Sequence, residues 1–343
     1  MRLLLASLLL LACKEQEPSG EEPTATATVS ASAPTATATP TASASAPVPR
    51  PIPFPGAQAL DQEQLFALLP KGDAEQEKVF RRFINVGGPG KMNQGNPELA
   101  GHEVSRGACW RGLEGVTLQT PEQRRICGGH EYMVPIHDGD PKKAKACIDI
   151  FEFPNRPCEL PFVWTPPTPA REVCRALGKR LCTQSEWVRA CSADPKGGEP
   201  SRYAYGEKLD LTICNTNKPH AKFNKKGGCN PHSIKTAWDT CSTNTEPSGS
   251  FPRCRSRLGV FDQHGNVAEA MTRREDDDKI VTQLKGSAFF YVDVHVPDGE
   301  PSKRTTYSDH CAHNPRWHVE PIERAWHVNY HLGFRCCYSV EKH

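Results

Sequence analysis

The stretch WTPPTPAREVCRALGKRLCTQSEWVRAC, residues 164–191, carries the clearest local signals in the chain. Its first half predicts a helix. Thr168 can cap the N-terminus, Pro169 suits the first helical position, where no amide hydrogen bond is lost, and Gly178 suits the position just past the end. Val173, Cys174 and Leu177 then share the buried face. The second half predicts another helix: Thr183 and Glu186 are spaced as a capping box, and Trp187, Ala190 and Cys191 fall on one side at intervals of three and four. Each helix presents a cysteine to whatever it packs against.

Outward from this core the signals weaken. Residues 60–84 hold two apolar-periodic stretches split by Pro70, Lys71 and Gly72, which predict two short helices packed on the main domain. Residues 90–146 are rich in Gly, Pro and charge and predict loop with a few short strands. Residues 200–260, dominated by Gly, Pro, Asn and Lys, predict long loops, and IVTQLKGSAFFYVDVHV (280–296) predicts strand and turn. Few helices, short strands, long loops and many cysteines describe an irregular α+β domain stapled by covalent bonds.

The chain opens MRLLLASLLLLAC, with Arg2 ahead of an apolar run far short of the roughly 20 residues a spanning helix needs, so it reads as a secretory signal. Leu10-Leu11-Ala12-Cys13 resembles a bacterial lipobox, which implies that Cys13 is lipidated and anchors the mature chain. Residues 14–56 are built from Pro, Ala, Ser and Thr without an apolar face and cannot bury enough surface to offset their ordering entropy. Such a tether reaches from roughly 35 Å as a flexible coil to about 130 Å as extended polyproline II. The expected organisation is signal and lipobox (1–13), disordered linker (14–56), helical extension (57–100) and main domain (101–343). The expected location is the cell envelope, at the periplasmic face or outer surface.

Lys and Arg number 42 against 40 Asp and Glu, so nothing pulls the chain broadly toward nucleic acid. The run RREDDDK (273–279) reads as a solvated loop. Setting Cys13 aside leaves fourteen of the 15 cysteines, an even number that in an exported chain favours disulfides. No C-x-x-C pair occurs, which argues against a zinc ribbon or a redox motif. GGPGKMNQG lacks the P-loop order, Ser185 fits a helix's first turn rather than a nucleophile's place, and Asp149 and Glu152 in CIDIFEF read as structural.

FDQHGNVAEA (261–270) gathers oxygen donors at Asp262, Gly265, Val267 and Glu269 within eight residues. Oxygen-only donors suit calcium; the other reading is a polar turn with Gly265 and Asn266 at its tip.

Four segments in order resemble the formylglycine-generating enzyme (sulfatase-modifying factor) family. GKRLCTQSEWV is similar to its GKRLPTEAEWE, LGVFDQHGNVAEA to its GLYDMxGNVWEW, LKGSAFF to its RGGSW, and HLGFRCC to its terminal GFR. The resemblance implies an irregular α+β fold related to C-type lectins, and the disulfides Cys174–Cys336 and Cys191–Cys311. It also implies a structural calcium ion on Asp262, Gly265, Val267 and Glu269, and a second, weaker site beginning at Asn215 and Thr216. The family's two tryptophans in NVWEW are Ala268 and Ala270 here.

The family's enzymes oxidise a substrate cysteine with O2, using copper held by two cysteines just after the glycine-serine segment. Those places fall on Phe290 and His295, or, aligned backward from Cys311, on Pro301 and Thr306. No cysteine occurs between Ser287 and Cys311, so copper is not expected. Histidines crowd the C-terminal segment instead, at His310, His313, His318, His327 and His331. His310 and His313 are the candidates for a transition metal, against the plainer reading of histidines in polar loops. The expectation is therefore a lipid-anchored, non-catalytic domain that binds a peptide, protein or glycan. The alternative is a metal-dependent oxidase or maturation factor using a histidine site, and a third reading is a purely structural envelope tip.

Overall fold

A computed structural model describes residues 56–216, 218, 229–230, 232–290, 310–315 and 318–340, all within one unit spanning Val48–His343. Cys13, the linker before Gly56, His295, Pro301 and Thr306 lie outside the described residues.

Two helices, α1 (Gln62–Ala67) and α2 (Ala74–Phe83), stand where the periodicity of residues 60–84 places them, each with an aspartate at its N-cap. Asp61 and Asp73 accept the amides of Gln64 and Gln76, filling donors that a first turn leaves unpaired. The stretch from 90 to 146 holds more helix than its composition suggests: α3 (Arg106–Gly112) and α4 (Pro121–Ile126) are capped by Ser105 and Thr120. Strands β1 (Met133–Pro135) and β2 (Ala146–Asp149) follow.

The decisive stretch folds as α5 (Pro167–Ala176), β3 (Arg180–Leu181) and α6 (Gln184–Ser192). One detail differs. Helix α5 begins two residues earlier than expected, with Pro166 at the cap, and the Thr168 hydroxyl donates instead to the carbonyls of Ile322 and Ala325. A long-range anchor has taken the side chain that local pattern assigned to a cap. Gly178 is left-handed (φ +69°), as the turn after the helix requires. In α6 the capping box is complete, and burial alone would lift the Glu186 carboxyl, but its pair with Arg180 holds it below the usual carboxylate range. Helix α7 (Ile234–Thr240) interrupts the loops expected over 200–260, capped by Ser233. Strands β4 (Ala268–Arg274), β5 (Ile280–Lys285), β6 (Leu332–Phe334) and β7 (Cys336–Ser339) follow.

The strands form two small sheets. One is antiparallel in the order β1-β2-β7-β3; the other runs β5-β4-β6, with β4 and β6 parallel. Strands distant in sequence meet in both, so the last residues of the domain close both sheets. α1, α2 and α5 share one apolar cluster built around Leu65, Phe80, Val173 and Phe334. A second cluster joins Trp187 and Ala190 of α6 to Phe151, Phe261 and Met271.

Seven disulfides link the described cysteines: 109–158, 127–147, 174–336, 182–337, 191–311, 214–254 and 229–241. Such density marks a protein that folds in an oxidising compartment outside the cytoplasm. No helix among the described residues is long and apolar enough to cross a membrane.

Candidate functional site

The segment 261–267 makes a tight turn that leads into β4. Asp262 and Asn266 are left-handed (φ +56° and +59°), and Gly265 (φ +77°) cannot be replaced without collision, since a Cβ there would lie 2.3 Å from the Asn215 carbonyl oxygen. Asn266 locks the turn: its amide donates to the Asn215 carbonyl at 2.9 Å, and its side chain donates to Glu152 Oε2 at 2.6 Å. Glu152 Oε1 accepts the Val267 amide at 3.0 Å. Both family-implied positions, 215–216 and 262–269, are therefore parts of one buried polar hub.

At its centre lies Arg335, fully buried, with Nε and Nη2 on the two oxygens of Glu269 at 2.7 and 2.5 Å. Its remaining donors reach the carbonyls of Asp149, Ile150 and Phe261. Trp187 Nε1 adds a third hydrogen bond to Glu269 at 2.9 Å. Asp262 Oδ2 accepts the Gly249 amide at 2.7 Å. Three buried carboxyl groups face one guanidinium. Burial pushes Asp262 up to about 7, and burial, then the charges of Asp262 and Glu269, lift Glu152 well above the usual range.

The donor set can be tested for calcium on these contacts. Glu269 has about four lone-pair directions, of which Arg335 and Trp187 take three, so a cation there would share the carboxylate with a guanidinium. Asn215 offers a clearer opening. It is 2% exposed, and its Oδ1 has no hydrogen-bond partner among the described residues, while its amide donates to Asn244 and Asn266. Thr216 beside it is buried, with its hydroxyl on the Leu211 carbonyl.

The histidines form separate pairs. The rings of His310 and His313 lie 5.9 Å apart, and those of His318 and His327 stack at 3.7 Å. His331 packs against Phe290 and Tyr330. Lys285, fully buried over the Trp187 ring, donates to the carbonyls of Cys311 and His313 and so fixes the His310–His313 turn from beneath. Among the described residues, one group of three His, Cys, Asp or Glu donors lies within 4.8 Å: Cys191, His264 and Cys311. Its two sulfurs are joined in a disulfide, which leaves no thiolate for a metal.

Phe290, 9% exposed, sits in an aromatic cluster with Phe289, Tyr330 and His331, beside Trp164. Carbon surface, with no donor atom, fills that position. Sequence reasoning passed over Arg335, Trp187 and Lys285 as site-forming residues. For Arg335 and Lys285 the signal was a charged residue amid apolar neighbours inside a quoted motif, which implies a buried partner; Trp187 was read on a buried helix face, where nothing local names the acceptor of its indole N–H.

A family model described as the sulfatase-modifying factor enzyme 1-like domain matches residues 76–339. The chain belongs to that family. No curated protein sequence matches it. Among solved structures, one titled "Crystal Structure of CarF" is similar with a TM-score of 0.35 and 15% identity, covering 53% of this chain and 68% of the other. A likeness at that level supports no inference about fold or function.

Proposed function

We propose that this chain is an exported, lipid-anchored member of the family, held on a disordered tether, that binds a peptide, protein or glycan without performing the family's oxidation. The observation that carries this reading is the lack of any cysteine between Ser287 and Cys311. Soft thiolates suit copper(I), and the described candidate position, Phe290, supplies an aromatic ring packed on others in place of one. The residues do not fit the copper ion, and no catalytic step is assigned. The C-type-lectin-like scaffold and the divisions at residues 13, 56 and 100 belong to the same reading, as does the family's shallow peptide-binding surface serving as the binding face. Calcium belongs to it too, in a structural role. The oxygen of Asn215, unpartnered among the described residues, favours the site at 215–216, and Asp262 and Glu269 with the carbonyls of Gly265 and Val267 would hold the other. The alternative histidine-based oxidase has no third donor beside His310 and His313 among the described residues.

Metal analysis of the mature protein, stripped with chelator and then offered calcium and copper, tests the reading. Retained calcium with no stoichiometric copper is the expected result. Stoichiometric copper or iron that disappears in a His310→Ala, His313→Ala variant would replace this reading with the oxidase. An interaction screen against immobilised envelope extract then separates a binding domain from a structural tip.

A further inference from the structure

A cavity of about 360 Å³ lies among the end of α1, the turn at 129–132, the loop following β2 and the turn following α5. Leu69, Tyr132, Phe153 and Leu177 give it apolar walls, and Lys179 and Arg156 give it cationic groups. We propose that it binds a small organic carboxylate with an apolar body about one ring in size. Its volume sits at the small end of ligand pockets, and its mix of apolar wall and few convergent polar groups is what such pockets use.

The cationic groups have donors to spare. Lys179, whose side chain is 9% exposed, places Nζ 2.6 Å from Asp149 Oδ1 and has no other acceptor among the described residues. An ammonium has three donors, so two remain for a ligand. Asp149 does not need them, because Asn155 Nδ2 and the Cys336 amide each reach it at 3.0 Å. Arg156 spends Nε on the Leu68 carbonyl at 2.9 Å and pairs with Glu131 through Nη1 at 3.7 Å, while Nη2 makes no hydrogen bond to a described residue. Glu131 also lines the cavity, with its carboxylate paired to Arg124 at 3.4 Å and to Arg156 at 3.7 Å. Burial, and then the Lys179 charge, hold His130 at the rim below its ordinary pKa, so it stays neutral and adds hydrogen-bonding capacity without charge.

The backbone at the rim is also unusual. Tyr132 and Asn155, both lining the cavity, are left-handed (φ +52° and +59°), a conformation costly for a bulky residue such as tyrosine. Gln119 accepts the Tyr132 amide, and the Tyr132 carbonyl accepts from Ile150 and Asn155, so surrounding contacts enforce the geometry. Strain maintained in this way concentrates at binding sites.

Two sources supply such a carboxylate: a free organic acid, or the C-terminus of a peptide ending in an apolar residue. Calorimetric titration of the full chain at pH 7 with 3-phenylpropionate, and with the uncharged 3-phenylpropanol, tests the shared chemistry. The acid should bind and the alcohol should bind roughly tenfold more weakly or worse, the loss expected from removing charge-assisted hydrogen bonds. N-acetyl-Gly-Phe with a free C-terminus, set against its amide, identifies the source: tighter binding than phenylpropionate indicates a peptide end, weaker binding a free acid. Arg156→Gln, at a partly exposed position, should weaken the acid roughly tenfold while the fold, read by circular dichroism, stays intact. Lys179→Met strands a buried carboxylate and can unfold the domain, which is why the Arg156 variant and the acid–alcohol pair carry the test. Equal binding of acid and alcohol, no binding of any acid at millimolar concentration, or an Arg156→Gln variant that binds as tightly as the parent would overturn the proposal.

Discussion

Replacing Arg335 with methionine removes the only cation facing Glu152, Asp262 and Glu269 among the described residues, at a position with no solvent exposure. The guanidinium makes two bonds to Glu269 and three to backbone carbonyls, all of which lose their donor. Stranding one member of a buried ion pair costs about 3–5 kcal/mol, a large share of the roughly 5–15 kcal/mol that holds a folded domain together. The cost arises mainly from the uncompensated charge on Glu269, so removing that charge as well should return part of it. Arg335→Met combined with Glu269→Met is expected to recover about 2 kcal/mol relative to the single change. Equilibrium unfolding in urea with disulfides intact, followed by tryptophan fluorescence, gives both values from the midpoints at constant slope. A single variant that loses less than about 1 kcal/mol, or a double variant that loses the full sum of the two single changes, would refute the assignment of Arg335 as the charge centre of the hub.

Burial, and next the adjoining His327 ring, hold His318 down at about 4. An unfolded chain takes up this proton near pH 6.5 and the folded chain only near 4, so the contribution is fully present above about pH 6.5 and falls as pH drops toward 4. Melting curves should show an acid limb worth roughly 1 kcal/mol, reduced by solvent at a partly exposed ring, that flattens in His318→Gln; an unchanged limb would count against the stacked neutral pair. Thr183→Ala removes the acceptor for the Glu186 amide and should cost about 1 kcal/mol in chemical denaturation, whereas Thr183→Ser should cost little. With the 182–337 bridge still closed, deleting the 174–336 bridge opens a loop of only roughly ten residues, so despite its separation of 162 it should cost within about 1 kcal/mol of deleting the 229–241 bridge, of separation 12, when both alanine pairs are unfolded in urea. A loss about 2 kcal/mol larger for the 174–336 bridge would show that loop entropy is not the governing contribution.

The helices that the chain declares locally were legible where their signals were short-range. Thr183, Glu186, Gly178 and the spacing of Trp187, Ala190 and Cys191 act within a few residues, and the fold uses them as read. Helix α4 was legible in principle, through Thr120, Pro121 and Gln123, but the surrounding Gly and Pro content outweighed that pattern. Thr168 shows the opposite limit, since carbonyls more than 150 residues away claim its hydroxyl. The hub was half legible. Asp262, Gly265 and Glu269 stood out because they are neighbours in sequence, but the role of Glu269 is set by Arg335, 66 residues on. Lys179 and Asp149 were each visible inside a motif, but their pairing across 30 residues and the cavity above them depend on how two sheets close. Spacing says nothing about empty space.

The central claim is that the family scaffold persists here without the family's oxidation. The most direct test incubates the purified, disulfide-intact full chain with a cysteine-containing substrate peptide of the family, copper(I) and air, and examines the peptide by mass spectrometry and hydrazide capture. The account predicts an unchanged cysteine. Conversion of that cysteine to an aldehyde, above the level in protein-free controls, would contradict it.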